Sequence, residues 1–133
     1  MNRDSKGFTL IELVTVIAIL GVLAAMTVPK FFSLQVKAKV EVENQIVGSI
    51  RAGLETYAAN QIVQNGIKKY PESNTIDDLL TSILNPVPAE WTFDSGATGS
   101  IIHTRTDSVI TWTYASTGGD TYTIGSRGAV VVP

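Results

Sequence analysis

The sequence predicts an α+β protein, in which one long N-terminal α-helix packs on a small antiparallel β-sheet of three or four strands. Three observations lead there. Phe8 to Val28 is an almost unbroken apolar run. Beyond Pro29, apolar residues recur at helical spacing on one face. From Trp91 onward the apolar period changes to two.

The chain has 133 residues, enough for one globular domain and not two. Its formal charge is −2, which carries no electrostatic footprint of nucleic-acid binding. There is no cysteine, so disulfides, thiolate metal sites, a cysteine nucleophile and a lipid-modified cysteine are excluded together. Membrane-grade hydrophobicity is confined to the first 30 residues, and the last 45 are rich in Thr, Ser and Gly.

The helix is built in two halves. Residues 1–7, MNRDSKG, are short and polar, and Arg3 and Lys6 outnumber Asp4, as suits a segment left on the cytoplasmic side. The next 21 residues are interrupted only by Thr9, Glu12, Thr15 and Thr27. As an α-helix they measure about 30 Å, the thickness of a bilayer core. Leu23-Ala24-Ala25 would pass as a signal-peptidase site, but the run is too long for a secretory signal and carries a glutamate. Pro29 lacks an N–H, and Gly21 weakens the same stretch, so the helix is expected to kink or melt between them. Val36, Val40, Val47, Ile50, Leu54 and Tyr57 then form one apolar stripe, ending near the stop pair Asn65-Gly66.

Within the connection 67–90, Ile76, Leu79, Leu80, Ile83 and Leu84 mark a short helix. Thr75 is its expected cap, Asp77 and Asp78 suit its N-terminal end, and Asn85-Pro86 ends it. Ile110, Trp112 and Tyr114 alternate with Val109, Thr111 and Thr113. Tyr122 and Ile124 alternate with Thr121 and Thr123, and residues 100–105 make a further strand. One face of this sheet is apolar and the other Thr-rich. The stripe of the long helix is the available cover.

Glu12 is the residue a plain membrane anchor does not explain. An ionisable group at bilayer depth costs about 2.5–3.5 kcal/mol on insertion scales and is functional by default. Its position about one turn from the membrane face lets it snorkel, which lowers that cost.

The stretch KGFTLIELVTVIAILGVLAAMTVPKF resembles the N-terminal signature of type IV pilins and the related pseudopilins of type II secretion systems. A basic leader ending in Gly7, the Gly7-Phe8 junction, the placed Glu12, the apolar run and Pro29 coincide over about a quarter of the chain. The resemblance implies a pilin fold and three segments: a leader 1–7 removed on maturation, a transmembrane and filament-core helix 8–29, and a globular domain 30–133. It implies cleavage after Gly7 by prepilin peptidase and N-methylation of Phe8. It implies that Glu12 meets the amino-terminal charge of a neighbouring subunit and sets the axial register, with Gly21 and Pro29 as the kink. A charge pair in a low-dielectric core attracts far more than in water, and one partner left alone is heavily penalised. The implied partners are further copies in a helical filament, the peptidase, and an inner-membrane assembly platform with its ATPase. The implied location is a single-pass inner-membrane state followed by a cell-surface pilus, or a periplasmic pseudopilus. The best-known major pseudopilins carry a calcium-binding loop; Asp107 and Asp120 stand apart, and no such site is read here.

No catalytic constellation, metal site or cofactor motif is found. His103, the only histidine, reads as a solvent-facing strand residue. Gly118-Gly119 lies in a hairpin loop and not before a helix, which argues against a phosphate cradle. Lys37, Lys39, Glu41 and Glu43 read as a solvated helix face. Phe8, Phe31, Phe32 and Tyr57 read as packing residues and not as an electron path. Two other classes compete: a membrane-tethered enzyme or ligand-binding domain, which needs a pocket of convergent polar groups, and a DNA-binding tip subunit, which needs a basic patch. Lys68-Lys69 is the only doublet for the latter outside the helix.

Overall fold

A computed structural model describes residues 7–132. The leader lies outside the described residues except for Gly7. The described chain falls into two compact units, one ending at Asn44 and one beginning at Gln45.

Helix α1 runs from Leu10 to Asn65 as one continuous α-helix of 56 residues. It carries Pro29 inside it and is unbroken there and at Gly21. Pro29 nevertheless removes the N–H that would bond the Ala25 carbonyl. In the first unit the large apolar residues are exposed, from Phe8 just before α1 through Phe31, Phe32 and Val36. The helix stops at Gly66, whose φ of 71° is the left-handed conformation of a helix C-terminus, and whose N–H donates to the Ile62 carbonyl at 2.8 Å.

The second unit holds the core. The C-terminal part of α1 contributes Val47, Ile50, Leu54 and Ala58. The four-stranded sheet contributes Trp91, Ile101, Ile110, Trp112 and Tyr114. The strands are β1 (Trp91–Asp94), β2 (Gly99–Thr104), β3 (Val109–Ala115) and β4 (Thr123–Ile124), paired antiparallel in sequence order. Trp91 lies opposite His103, Ile101 opposite Trp112, and Tyr114 opposite Ile124. Because side chains alternate, that register puts all of them on one face. The chain after β4 continues along β3, with Gly128 N–H donating to the Thr111 carbonyl and Val131 exchanging two bonds with Val109.

Helix α2 (Leu79–Ile83) buries Leu79 and Leu80. Gly53 of α1 lets it approach: a Cβ at that position would lie 2.6 Å from the Ile83 carbonyl oxygen. Hydrogen bonds tie the α1–α2 connection to the β3–β4 loop. Tyr70 N–H donates to the Gly119 carbonyl, Ser73 N–H to the Ser116 carbonyl, and the Tyr114 hydroxyl to the Pro71 carbonyl at 2.6 Å. This clasp is non-covalent in a chain without cysteine.

Four local expectations are corrected. The buried stripe begins later than expected: Val36 is exposed, and Val40 is half-buried. Glu43, expected on the solvated face, is fully buried. It fills the gap of seven between Val40 and Val47, which is where the helical period required a buried position. At the other end Ala58 is buried and Tyr57 only half-buried. The cap of the short helix is Asp78, which accepts from Leu80 N–H at 3.0 Å; Thr75 instead donates to Glu72, so the helix starts at Leu79. His103 is on the inner face, because it pairs with Trp91 and Ile110 and alternates with Ile101. Its ring stacks on Trp91 with centroids 4.7 Å apart and planes 12° from parallel.

Candidate functional site

The start of α1 is organised by two residues. The Thr9 carbonyl accepts the first intrahelical bond from Leu13 N–H. Thr9 N–H and the Thr9 hydroxyl each donate to Glu12 Oε2 at 2.8 Å, and Glu12 N–H donates back to Thr9 Oγ1 at 3.3 Å. Thr-Leu-Ile-Glu is thus a capping box: Thr9 is the N-cap and Glu12 the third helical residue. The acid also sits in the first turn, where the helix dipole favours negative charge. The T-x-x-E spacing before an apolar run was legible in the sequence, and the sequence reading passed over it.

The threonines deeper in the run are satisfied in the same economical way. Thr15 Oγ1 donates to the Ile11 carbonyl at 2.7 Å, and Thr27 Oγ1 to the Leu23 carbonyl at 2.8 Å. The interruptions at 9, 12, 15 and 27 therefore all find hydrogen bonds within the helix, which is what a lipid environment demands. By length and composition α1 can cross a membrane, and its apolar N-terminal stretch is uncovered. Phe8 is 91% exposed beside the Gly7–Phe8 junction, and neither residue belongs to the helix. Nothing obstructs that peptide bond among the described residues.

Lys68 is drawn to Glu55 at 3.8 Å and lies over the Tyr70 ring, 5.1 Å from its centroid. The Tyr70 hydroxyl, first, and then Glu55 and Asp120 hold the Lys68 pKa above its usual value. Lys68-Lys69 is therefore part of a mixed-charge surface. Burial pushes the phenol of the core residue Tyr114 up to about 12 and raises that of the partly buried Tyr122 as well.

A capped, uncovered apolar helix that leads into a helix-on-meander domain is a pilin-like arrangement. Residues 2–28 match the prokaryotic N-terminal methylation motif. The chain is 34% identical to the type II secretion system core protein G of Pseudomonas aeruginosa over 97 residues, which are 70% of this chain and 63% of that one. It is 37% identical to a type IV major pilin of Neisseria gonorrhoeae over 75 residues, 56% of this chain and 42% of the relative. It is 41% identical to a type IV major fimbrial protein of Dichelobacter nodosus over 56 residues, 42% of this chain and 36% of the relative. The chain thus spans between about a third and two thirds of the length of these relatives. No solved structure matches it. The chain carries the prepilin-type N-terminal motif and is similar to both type IV pilins and a type II secretion core protein.

Proposed function

We propose that this protein is the structural subunit of a type IV pilus-like filament, matured by prepilin peptidase and polymerised through the apolar half of α1. The observation that carries this reading is the coincidence, within one segment, of the Gly7–Phe8 junction, the uncovered apolar helix and Glu12. A covered helix would have no need of other copies. An uncovered one of this length is stable in lipid or against identical helices, and assembly exchanges the first environment for the second. The precursor spans the inner membrane once, with the domain outside the cytoplasm. Cleavage after Gly7 frees an amino group on Phe8, which is methylated, and Glu12 of one subunit meets the amino terminus of the next. Gly21 and Pro29 supply the yielding point of α1 during assembly. An assembly platform and its ATPase extract the subunits, and no catalytic activity is assigned to the chain. N-terminal sequencing of the membrane-bound and fibre-bound protein tests this reading. It should begin at Phe8 with one added methyl, and assembled fibres that keep residues 1–7 would contradict it.

A second reading, a pseudopilin of a type II secretion system, has its own support. The similarity to core protein G extends over 70% of the chain, well past the N-terminal motif. Deletion distinguishes the two. Loss of surface fibres with secretion intact favours the pilus, and retained exoprotein in the periplasm favours the pseudopilus.

A further inference from the structure

We propose a second site, independent of the filament reading: a recess beside the C-terminal end of α1 that binds a neutral hexose unit. The recess measures about 310 Å³, at the lower end of the range of about 300–1,000 Å³ typical of small-molecule sites. Tyr57 and Gln61 line it from α1, and Lys69 and Glu72 line it from the connection, over Pro71 and Ile76. All belong to the second unit.

The donor and acceptor set decides the ligand class. Among the described residues, no hydrogen bond or ion pair engages the Tyr57 hydroxyl or the Lys69 ammonium. Gln61 Oε1 accepts from Asn65 Nδ2 at 2.7 Å, which fixes the amide and leaves its NH₂ as donor. Glu72 Oε2 accepts from Thr75, which leaves Oε1 as acceptor. One cation and one anion give the recess no net charge with which to select an ion. What it offers is a phenol, an amide, a carboxylate and an ammonium, with Pro71 and Ile76 as its apolar lining. A pyranose ring matches that set: its hydroxyls both donate and accept, and its C–H face is apolar. The stems of Lys69 and Glu72 pass close to Gly118. Gly118 has φ of 75°, and a Cβ built there would lie 3.3 Å from Lys69 Cε and 3.6 Å from Glu72 Cβ, so a side chain at this position would crowd both stems.

The test is saturation-transfer NMR on the full chain in a detergent without a sugar headgroup. Glucose, galactose, mannose and N-acetylglucosamine are titrated in turn. At least one should give a saturable signal. Tyr57→Phe and Gln61→Ala, each removing one hydrogen bond, should weaken it about fivefold. Thr111→Ala, on the Thr-rich face of the sheet, should leave it unchanged. Thermal melts matching wild type certify the folding of each variant, and Gln61→Ala alone suffices if Tyr57→Phe melts early. The proposal is overturned if none of the four sugars saturates, or if both variants bind like wild type. It is also overturned if inorganic phosphate displaces the sugar in a manner abolished by Lys69→Ala, because the recess is then an anion site.

Discussion

Thr9 and Glu12 cap α1 reciprocally, with two donors of Thr9 converging on Glu12 Oε2 at 2.8 Å. The glutamate proposed to pair with another subunit therefore already has a partner in its own chain. The cap and the proposed pairing are separable by substitution. Glutamine at the third helical position preserves a capping box but carries no charge. Removing Thr9 abolishes the cap and leaves the charge.

Thr9→Val is expected to fray the first turn without blocking membrane insertion. Losing an N-cap costs about 0.5–2 kcal/mol. Hydrogen exchange of the amides at residues 10–13 in detergent micelles should accelerate relative to wild type, while those beyond Val16 stay protected. Equal protection in the variant would show that the two bonds of the Thr9 hydroxyl contribute nothing in that environment.

Two glycines of α1 should respond in opposite directions. Gly48 has nothing within 4 Å of a built Cβ, so Gly48→Ala should stabilise by up to about 1 kcal/mol through helix propensity alone. Gly53→Ala gains the same propensity but puts its methyl 2.6 Å from the Ile83 carbonyl oxygen. Overpacking costs about 1–3 kcal/mol, so the melt should fall. A rise in both would mean that α2 can retreat from α1 freely.

A fragment of residues 30–133 is expected to be a soluble folded monomer. Ile50 and Leu54 are fully buried, so Ile50→Asp and Leu54→Asp should unfold it by placing an unpaired charge in the core. Glu41 is exposed, and Glu41→Ala should be nearly neutral. Glu43→Ala should lower the melt by more, because that carboxylate is fully buried. Circular dichroism melts of the four variants check the order.

Alkali should weaken the domain within a defined window. The Tyr114 phenol is raised from 10.0 to about 12, chiefly by burial. A group that holds its proton longer when folded gives stability that is complete below its unfolded pKa and lost as pH rises through its folded one. The loss should fall between about pH 10 and 12, and Tyr122 and Lys68, both shifted upward, act in the same sense. Tyr114→Phe should flatten this loss while costing about 1–3 kcal/mol at neutral pH, because the buried Pro71 carbonyl loses its donor.

The two-part helix, its end at Asn65, and the apolar strand face of Ile110, Trp112 and Tyr114 were legible because each is a periodic signal. The stripe was misread at Glu43 because a charged side chain was assigned to solvent by type, although the period demanded burial there. His103 was misread for the same reason; its face is set by pairing with Trp91 and Ile110, a register that one strand's sequence does not contain. The Asp78 cap competes locally with Thr75, and the winner depends on where Leu79 and Leu80 must be buried. The recess at Tyr57 and Glu72 joins α1 to a connection of no regular pattern. Only the folded chain brings those residues together.

The most direct measurement of the central claim is the fibre yield of Glu12→Gln beside wild type. It is read by electron microscopy and by immunoblot of the sheared surface fraction, with the membrane fraction as control. The variant keeps the capping box and is easier to insert, so it should be present in the membrane and cleaved after Gly7. Without the charge proposed to pair with the neighbouring amino terminus, its fibres should fall at least about tenfold, the equivalent of about 1.4 kcal/mol of coupling. Fibres of wild-type number and length from Glu12→Gln would contradict the account and leave Glu12 as a helix cap alone.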